Sequence, residues 1–249
     1  MKIVVIGGTG LIGTKVVQLL RNDGHQVIAG SPATGINTIT GEGLAESLKD
    51  TDIVIDLANS HSFEDDAVMN FFMTAGKNLL TAEVNAGVKH HLALSIVGID
   101  VMQNVGYMRG KIKQEELIKA SGIPYTIIRS TQFMEFIKGI ADQATSGTEV
   151  SLSDVSFQPI AASDVAGFLA HYALAQPENN IVEIAGPEKY PMYKIVQHYL
   201  ELMEDPRKVS ATGRPVYFGG EVTHEALVPH GDVSLGATKF DDWVEQQKG

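Results

Sequence analysis

In the stretch LSIVGIDVMQNVGYMRGKIKQEEL, three side chains have the types and spacing for chemistry: Ser95, Tyr107 and Lys111. Tyr107 and Lys111 stand four apart, so on a helix they share a face, and Ser95 closes the preceding apolar run, where a strand would end. Packed together, strand and helix bring all three to one point. A ketone that accepts hydride from a nicotinamide develops negative charge on its oxygen, and a phenol beside it donates the proton. An unperturbed phenol is too weak an acid at neutral pH. A nearby ammonium favours its ionised form, and Lys111 supplies that field. Ser95 then hydrogen-bonds the same oxygen and orients the substrate. A Tyr-xxx-Lys pair alone also suits an ordinary amphipathic helix, with Tyr half buried and Lys in solvent, so its meaning depends on the elements that carry it.

Those elements begin at the N-terminus, MKIVVIGGTGLIGTKVVQLL. Lys2 to Ile6 is a short apolar run rich in β-branched residues, the pattern of a buried parallel strand. Gly7, Gly10 and Gly13 follow at intervals of three, and Leu11, Ile12, Val16, Val17, Leu19 and Leu20 form the stripe of a helix packed on a sheet. A pyrophosphate needs backbone N–H groups and the positive end of a helix, with no Cβ in the way. Gly7 permits the sharp exit from the strand, Gly10 the approach of the phosphates, and Gly13 tight packing of helix on strand. The spacing is GxxGxxG rather than GxGxxG. A tight turn with no ligand would satisfy the same pattern, but its place between strand and helix favours a dinucleotide.

Strand and helix then alternate. HQVIAG, DIVIDLA, HHLALSI, IPYTIIRS and NIVEIAG read as strands. GEGLAESLKD, FEDDAVMNFFMTAGKNLLTAEVNAG, MRGKIKQEELIKASG, FMEFIKGIADQATSG and SDVAGFLAHYALAQ read as helices, with Ser163 a plausible N-cap of the last. The expected fold is α/β, a doubly wound parallel sheet over residues 1–186, with residues 187–249 a small C-terminal cap over the carboxyl ends of the strands or an edge decoration. Within that tail, YPMYKIVQHYLELMED and TKFDDWVEQQ are helical, separated by turn-rich sequence.

With 44% hydrophobic and 20% charged residues among 249, the composition is that of a soluble globular chain. No apolar run spans a bilayer and no secretory signal is evident, so a cytoplasmic location is expected. The absence of cysteine excludes disulfide, zinc-thiolate and thiol-nucleophile chemistry. A net charge of −11 with scattered cations disfavours nucleic acid as a partner. His90 and His91 precede a strand without an accompanying carboxylate or histidine at metal-ligand spacing, and no metal is expected.

GGTGLIG, Ser95 with Tyr107 and Lys111, GIPYTIIRSTQFMEF and PIAASDVA together resemble the short-chain dehydrogenase/reductase superfamily, and within it the atypical NmrA-like branch. The resemblance covers residues 1–186 well and the tail more loosely. It implies a Rossmann-type fold, an NAD(P) cofactor and an oxidoreductase acting on a carbonyl or quinone-like small molecule. Tyr107 would be the acid, Lys111 its tuner and a ribose contact, and Ser95 the substrate anchor. Thr9, Gly10, Leu11 and Ile12 would line the pyrophosphate, and Ala58 and Asn59 the adenosine side. Some relatives without the tyrosine are redox sensors that bind without turnover, which is the alternative reading. An epimerase or isomerase is a third, weakened by the short C-terminal segment.

In place of the acid that holds the ribose diol of NAD after the second strand, the chain has AGSPATG. Arginine, frequent there in NADP-specific relatives, is absent too. Ser31 and Thr34 remain as hydroxyl donors to a phosphate, which points to NADP with NAD still possible. Gln132 and Phe133, after IPYTIIRS, would face the nicotinamide and substrate, with Phe136 and Phe157 an apolar wall. His61, on a loop, is given no role.

Overall fold

The computed structural model describes residues 1–248. Seven parallel strands form the central sheet: β1 (Lys2–Ile6), β2 (Gln26–Gly30), β3 (Ile53–Asp56), β4 (His90–Ile96), β5 (Tyr125–Ser130), β6 (Asn180–Ala185) and β7 (Ser234–Leu235). Their spatial order is β7-β6-β5-β4-β3-β1-β2. In register, Val5 of β1 lies between Ala29 of β2 and Ile55 of β3. The order reverses between β1 and β3, and open α/β sheets bind ligands at the carboxyl ends of the strands at such a reversal.

Period-two alternation in β1 sets the layers. Ile3 and Val5 pack with Ile12 and Val16 of α1 (Leu11–Asn22) and Val165 and Leu169 of α6 (Ala162–Leu174) on one face. Val4 and Ile6 pack with Leu48 of α2 (Leu44–Leu48) and Leu79 of α3 (Asp65–Ala86) on the other. Ile118 of α4 (Gly106–Ala120) continues that second layer against Ile127 of β5. Each such fully buried aliphatic side chain contributes about 1.5–3 kcal/mol. Both faces are covered, which is why these strands are apolar throughout rather than alternating. The sheet and its two helical layers form the expected doubly wound Rossmann-type α/β fold.

Two local expectations change. Ser163 lies inside the first turn of α6, whose N-cap is Ala161. The Glu135 carboxylate, from a distant part of the sequence, accepts the Ala162 N–H at 3.1 Å and so supplies the cap that Ser163 was expected to give. The segment FMEFIKGIADQATSG is not one helix: a 3-10 turn at Met134–Phe136 leads into α5 (Ile137–Gln143), and Thr145–Ser146 already pairs antiparallel with Glu149–Leu152.

The tail is tied closely to the sheet. Beyond α7 (Met192–Leu202) it returns to pair β7 parallel with β6, and α8 (Phe240–Gln247) closes the chain. Ile195, Tyr199, Phe240 and Trp243 share one apolar cluster with Met102, Met108, Val150 and Phe157. The Trp243 indole N–H reaches Glu135, the same carboxylate that caps α6, at 3.3 Å. A hairpin, Val216–Tyr217 against Gly220–Glu221, stands over the start of α4.

Candidate active site

At the β1–α1 turn the three glycines have distinct tasks. Gly7 holds φ +74°, and a Cβ there would meet Leu57 O at 2.7 Å. A Cβ on Gly13 would meet Gly7 O at 2.1 Å, so this glycine lets helix and turn touch. Gly10 is different: it is the N-cap of α1 with extended backbone, no side chain caps the helix, and a Cβ there would meet only Gly7 O, at 3.3 Å. The first-turn N–H groups of α1, from Leu11 to Gly13, therefore form a bare positive helix end beside exposed Thr9. Ala58 stands across the reversal from this turn, its nitrogen 3.3 Å from a Cβ placed on Gly7.

Tyr107, on the first turn of α4, is the phenol of the site. Its hydroxyl donates to Asn59 Oδ1 at 2.8 Å, so Asn59 reaches the end of α4 and not the adenosine side. Burial pushes this phenol up to about 12, against the pull of the hydrogen bond with Asn59. It is a firmly protonated group, set by its burial rather than by a neighbouring cation.

Lys111 explains why. Gly110, where a Cβ would stand 2.7 Å from Val68 and 2.9 Å from Phe72, allows α3 to approach α4 and brings the Phe72 ring under the ammonium, 4.9 Å from Nζ. Nζ is buried and donates to Leu94 O at 2.7 Å and to Gln114 Oε1. Gln114 in turn donates to Asp56 Oδ2 at 2.7 Å, while Asp56 Oδ1 accepts the Ala58 N–H at 3.0 Å. Burial draws the ammonium down to about 8, against the nearby Asp56 and Glu115 carboxylates. In the expected scheme Lys111 lowers the phenol. In the structure its hydrogens go to internal acceptors, and Phe72, packed edge-on against Tyr107 at 6.1 Å, is the neighbour the two share.

Ser95 is further removed. It faces α4, but two turns beyond Tyr107, and donates to Glu115 Oε1 at 2.6 Å. Glu115 also takes two hydrogen bonds at 2.9 Å from Arg129, which reaches Asp100 with its remaining fork. The expected convergence thus joins Tyr107 and Lys111 through one ring and leaves Ser95 in an ionic cluster, because the buried Arg129 needs the carboxylate and the carboxylate takes the hydroxyl.

At the end of β5, both amide atoms of Gln132 and the hydroxyl of Thr131 are buried with no partner among the described residues. Such groups are costly to bury unpaired, and they fit a polar ligand entering the cleft. Phe133 packs against Phe136 at 5.4 Å. The expected wall of Phe136 and Phe157 divides: Phe157 is wholly in the core and Phe136 is exposed. Bare helix N–H groups on one side and an unpaired amide on the other suit a dinucleotide. Held there, it would rest its pyrophosphate on Gly10, Leu11 and Ile12 and its carboxamide by Gln132.

Ser31 and Thr34 turn inward. Thr34 Oγ1 donates to Ala29 O at 3.0 Å, accepts the Ser31 N–H at 2.8 Å and lies 3.4 Å from Ser31 Oγ, closing a one-turn capping box instead of presenting two free hydroxyls. His90 and His91 belong to β4 itself. His91 does have a carboxylate partner, Glu83, with Nδ1 2.9 Å from Oε2 in a fully buried pair made possible by the packing of α3 on the sheet. Among the described residues no group of three or more histidine, aspartate or glutamate side chains could hold a metal, and no helix is long and apolar enough to cross a membrane.

Turn, sheet reversal and cleft define a dinucleotide-binding protein of the Rossmann type. The chain belongs to the NAD(P)H-binding family, whose model matches residues 7–177. It is 26% identical over 217 residues to photosystem II assembly factor Ycf39 of Cyanophora paradoxa, covering 79% of this chain and 67% of that protein. It is 27% identical over 160 residues to isoflavone reductase homolog A622 of Nicotiana glauca, covering 54% of this chain and 49% of that one. The chain thus spans from about half to about two thirds of these curated relatives. Among solved structures it is similar to TunA, an NAD-dependent NDP-hexosamine 5,6-dehydratase, with TM-score 0.74 and 14% identity across 99% of this chain and 97% of that one. It is likewise similar to the NADPH complex of the quinone oxidoreductase QOR2 of Escherichia coli, with TM-score 0.67 and 20% identity across 86% and 78%. These likenesses show the fold.

Residues that sequence reasoning passed over include Gln114 and Glu115, three and four positions after Lys111 on the same helix face, and Arg129, a cation inside an otherwise apolar strand. Both patterns carry a signal: a charge in a buried strand demands a partner. Phe63, Tyr217 and Phe218, from two remote loops, carried none.

Proposed function

We infer that the protein is an NAD(P)H-dependent oxidoreductase of the short-chain dehydrogenase/reductase type, on its NmrA-like side, that reduces a carbonyl or quinone-like small molecule. The observation that carries this reading is Tyr107: a buried, protonated phenol at the carboxyl ends of the strands, held to Asn59 in the cleft that the glycine turn opens. The reduced nicotinamide, when bound, supplies hydride to the carbonyl carbon. As the C=O π pair moves onto oxygen, Tyr107 gives that oxygen its proton, releasing its bond to Asn59, and the cleft keeps water out of the exchange. Asp56 and Gln114 hold Lys111 beneath the site, Gln132 orients the carboxamide, and residues 187–249 complete the substrate pocket as a cap. With no carboxylate after β2 to repel a 2′-phosphate, NADPH is the cofactor we assign.

A second reading rests on its own observation. Ser95 and Lys111 are both committed to internal partners, as in a protein that binds dinucleotide without turnover and reports it to another chain. Oxidation of NADPH and NADH by the purified protein against quinones, aldehydes and ketones separates the two. Turnover with any of them upholds the reductase; tight binding with no turnover favours the sensor.

A further inference from the structure

With Ser95 bound to Glu115, the oxygen of a bound carbonyl has one donor on α4, Tyr107, where the chemistry calls for two. A second phenol stands opposite. The hairpin of the tail places Tyr217 against the start of α4: Asn104 Nδ2 donates to Glu221 O at 2.8 Å, and a Cβ on Gly220 would meet Asn104 Nδ2 at 2.8 Å and Val105 Cγ2 at 3.2 Å. On its other side the Val216 N–H is held by Ser153 Oγ at 3.0 Å. The hairpin is therefore fixed at both flanks, and Tyr217 and Tyr107 pack against the same apolar cluster.

The turn itself is strained. Phe218 holds φ +48° and Gly219 φ +77°, the two left-handed positions of a tight hairpin. A bulky aromatic in the first of these is rare, and such outliers persist where the surroundings hold them. Here they do. Phe218 packs edge-on against Tyr217 at 4.7 Å and stacks on Phe63 at 5.9 Å, and Phe63 lies 6.0 Å from Tyr107. Phe63 and Phe218, both largely exposed, thus roof the phenol with flat rings. Under that roof the Tyr217 hydroxyl has no hydrogen-bond partner among the described residues. Burial, with Tyr107 close by, pushes its ionisation upward, so it remains a donor.

We propose that Tyr217 is the second hydrogen-bond donor to the substrate oxygen, acting with Tyr107 from the opposite wall, and that the aromatic roof selects carbonyls borne on planar, unsaturated rings. This rests on the reductase reading. Tyr217 touches substrate in this arrangement, and Tyr107 alone transfers the proton.

Tyr217→Phe keeps the ring and removes the hydroxyl. Two measurements test it: steady-state reduction of acetophenone, cyclohexanone and menadione with NADPH, and calorimetric binding of acetophenone to protein saturated with NADP⁺, where no turnover occurs. The variant should bind NADP⁺ as the wild type does, bind acetophenone about tenfold more weakly, and show the same rise in KM, the weight of one hydrogen bond. The wild type should favour acetophenone over cyclohexanone. Equal acetophenone affinity and KM in variant and wild type would overturn the role of Tyr217 while turnover still upheld the reductase. Weakened binding in a wild type that never turns over would keep the Tyr217 contact and overturn only the reductase. A wild type that neither binds acetophenone nor oxidises NADPH with any of the three would overturn both.

Discussion

Ser95 donates its hydroxyl to Glu115 at 2.6 Å, and Glu115 in the same breath neutralises Arg129. A strand-end serine that the Tyr-xxx-Lys pattern assigns to substrate is here part of a buried ionic cluster. Removing one partner of such a pair leaves the other charge uncompensated, so Glu115→Ala should destabilise the protein by about 3 kcal/mol or more, and Ser95→Ala by about 1 kcal/mol. Urea unfolding of both variants checks the ranking.

The glycine turn separates binding from folding. Gly10→Val places its side chain where the helix end is open, so the variant should fold normally and lose dinucleotide affinity. Gly13→Val drives a Cβ to 2.1 Å from Gly7 O and should fail to fold. Circular dichroism with calorimetric titration of NADPH distinguishes the two losses.

Lys111 gives stability a pH dependence of known sign. Its folded-state value lies near 8 against 10.5 for an ordinary lysine. Between those values the unfolded chain holds a proton that the folded chain has shed, so this residue makes stability rise with pH across that window, by up to about 3 kcal/mol. Subtracting the pH profile of Lys111→Met from that of the wild type should isolate the rise; a flat difference would show that the ammonium is not confined as described.

Cofactor choice follows from what is absent after β2. With no acid at Ser31 and no clash with a 2′-phosphate, NADPH should bind at least as tightly as NADH. Competitive calorimetry decides, and a clear preference for NADH would contradict the assignment.

Much of the fold was legible because its signals are local. The β-branched runs of β1 and β3, the glycines at 7, 10 and 13 and the amphipathic α1 each follow from a few adjacent residues. Tyr107 and Gln132 were legible as candidates by their places at element ends. What the sequence did not disclose depends on tertiary encounters: Glu115 capturing Ser95, Asn59 reaching Tyr107, Glu135 capping α6 in place of Ser163, and Thr34 folding back on Ser31. In each, a polar group satisfies a partner remote in sequence or turned inward by its own turn, and no spacing rule records that choice. Gly110 shows the same limit, since its meaning lies in Phe72 on another helix.

The central claim is that Tyr107 supplies the proton, and kcat of Tyr107→Phe measured side by side on a ketone and on a quinone tests it most directly. The variant loses one oxygen and should keep its fold and its NADPH affinity. On the ketone kcat should fall by about 10²- to 10⁴-fold, and on the quinone much less, because a quinone reduced by hydride takes its proton from water. Undiminished turnover on both would contradict the claim, leaving the Tyr-xxx-Lys face of α4 without a part in catalysis.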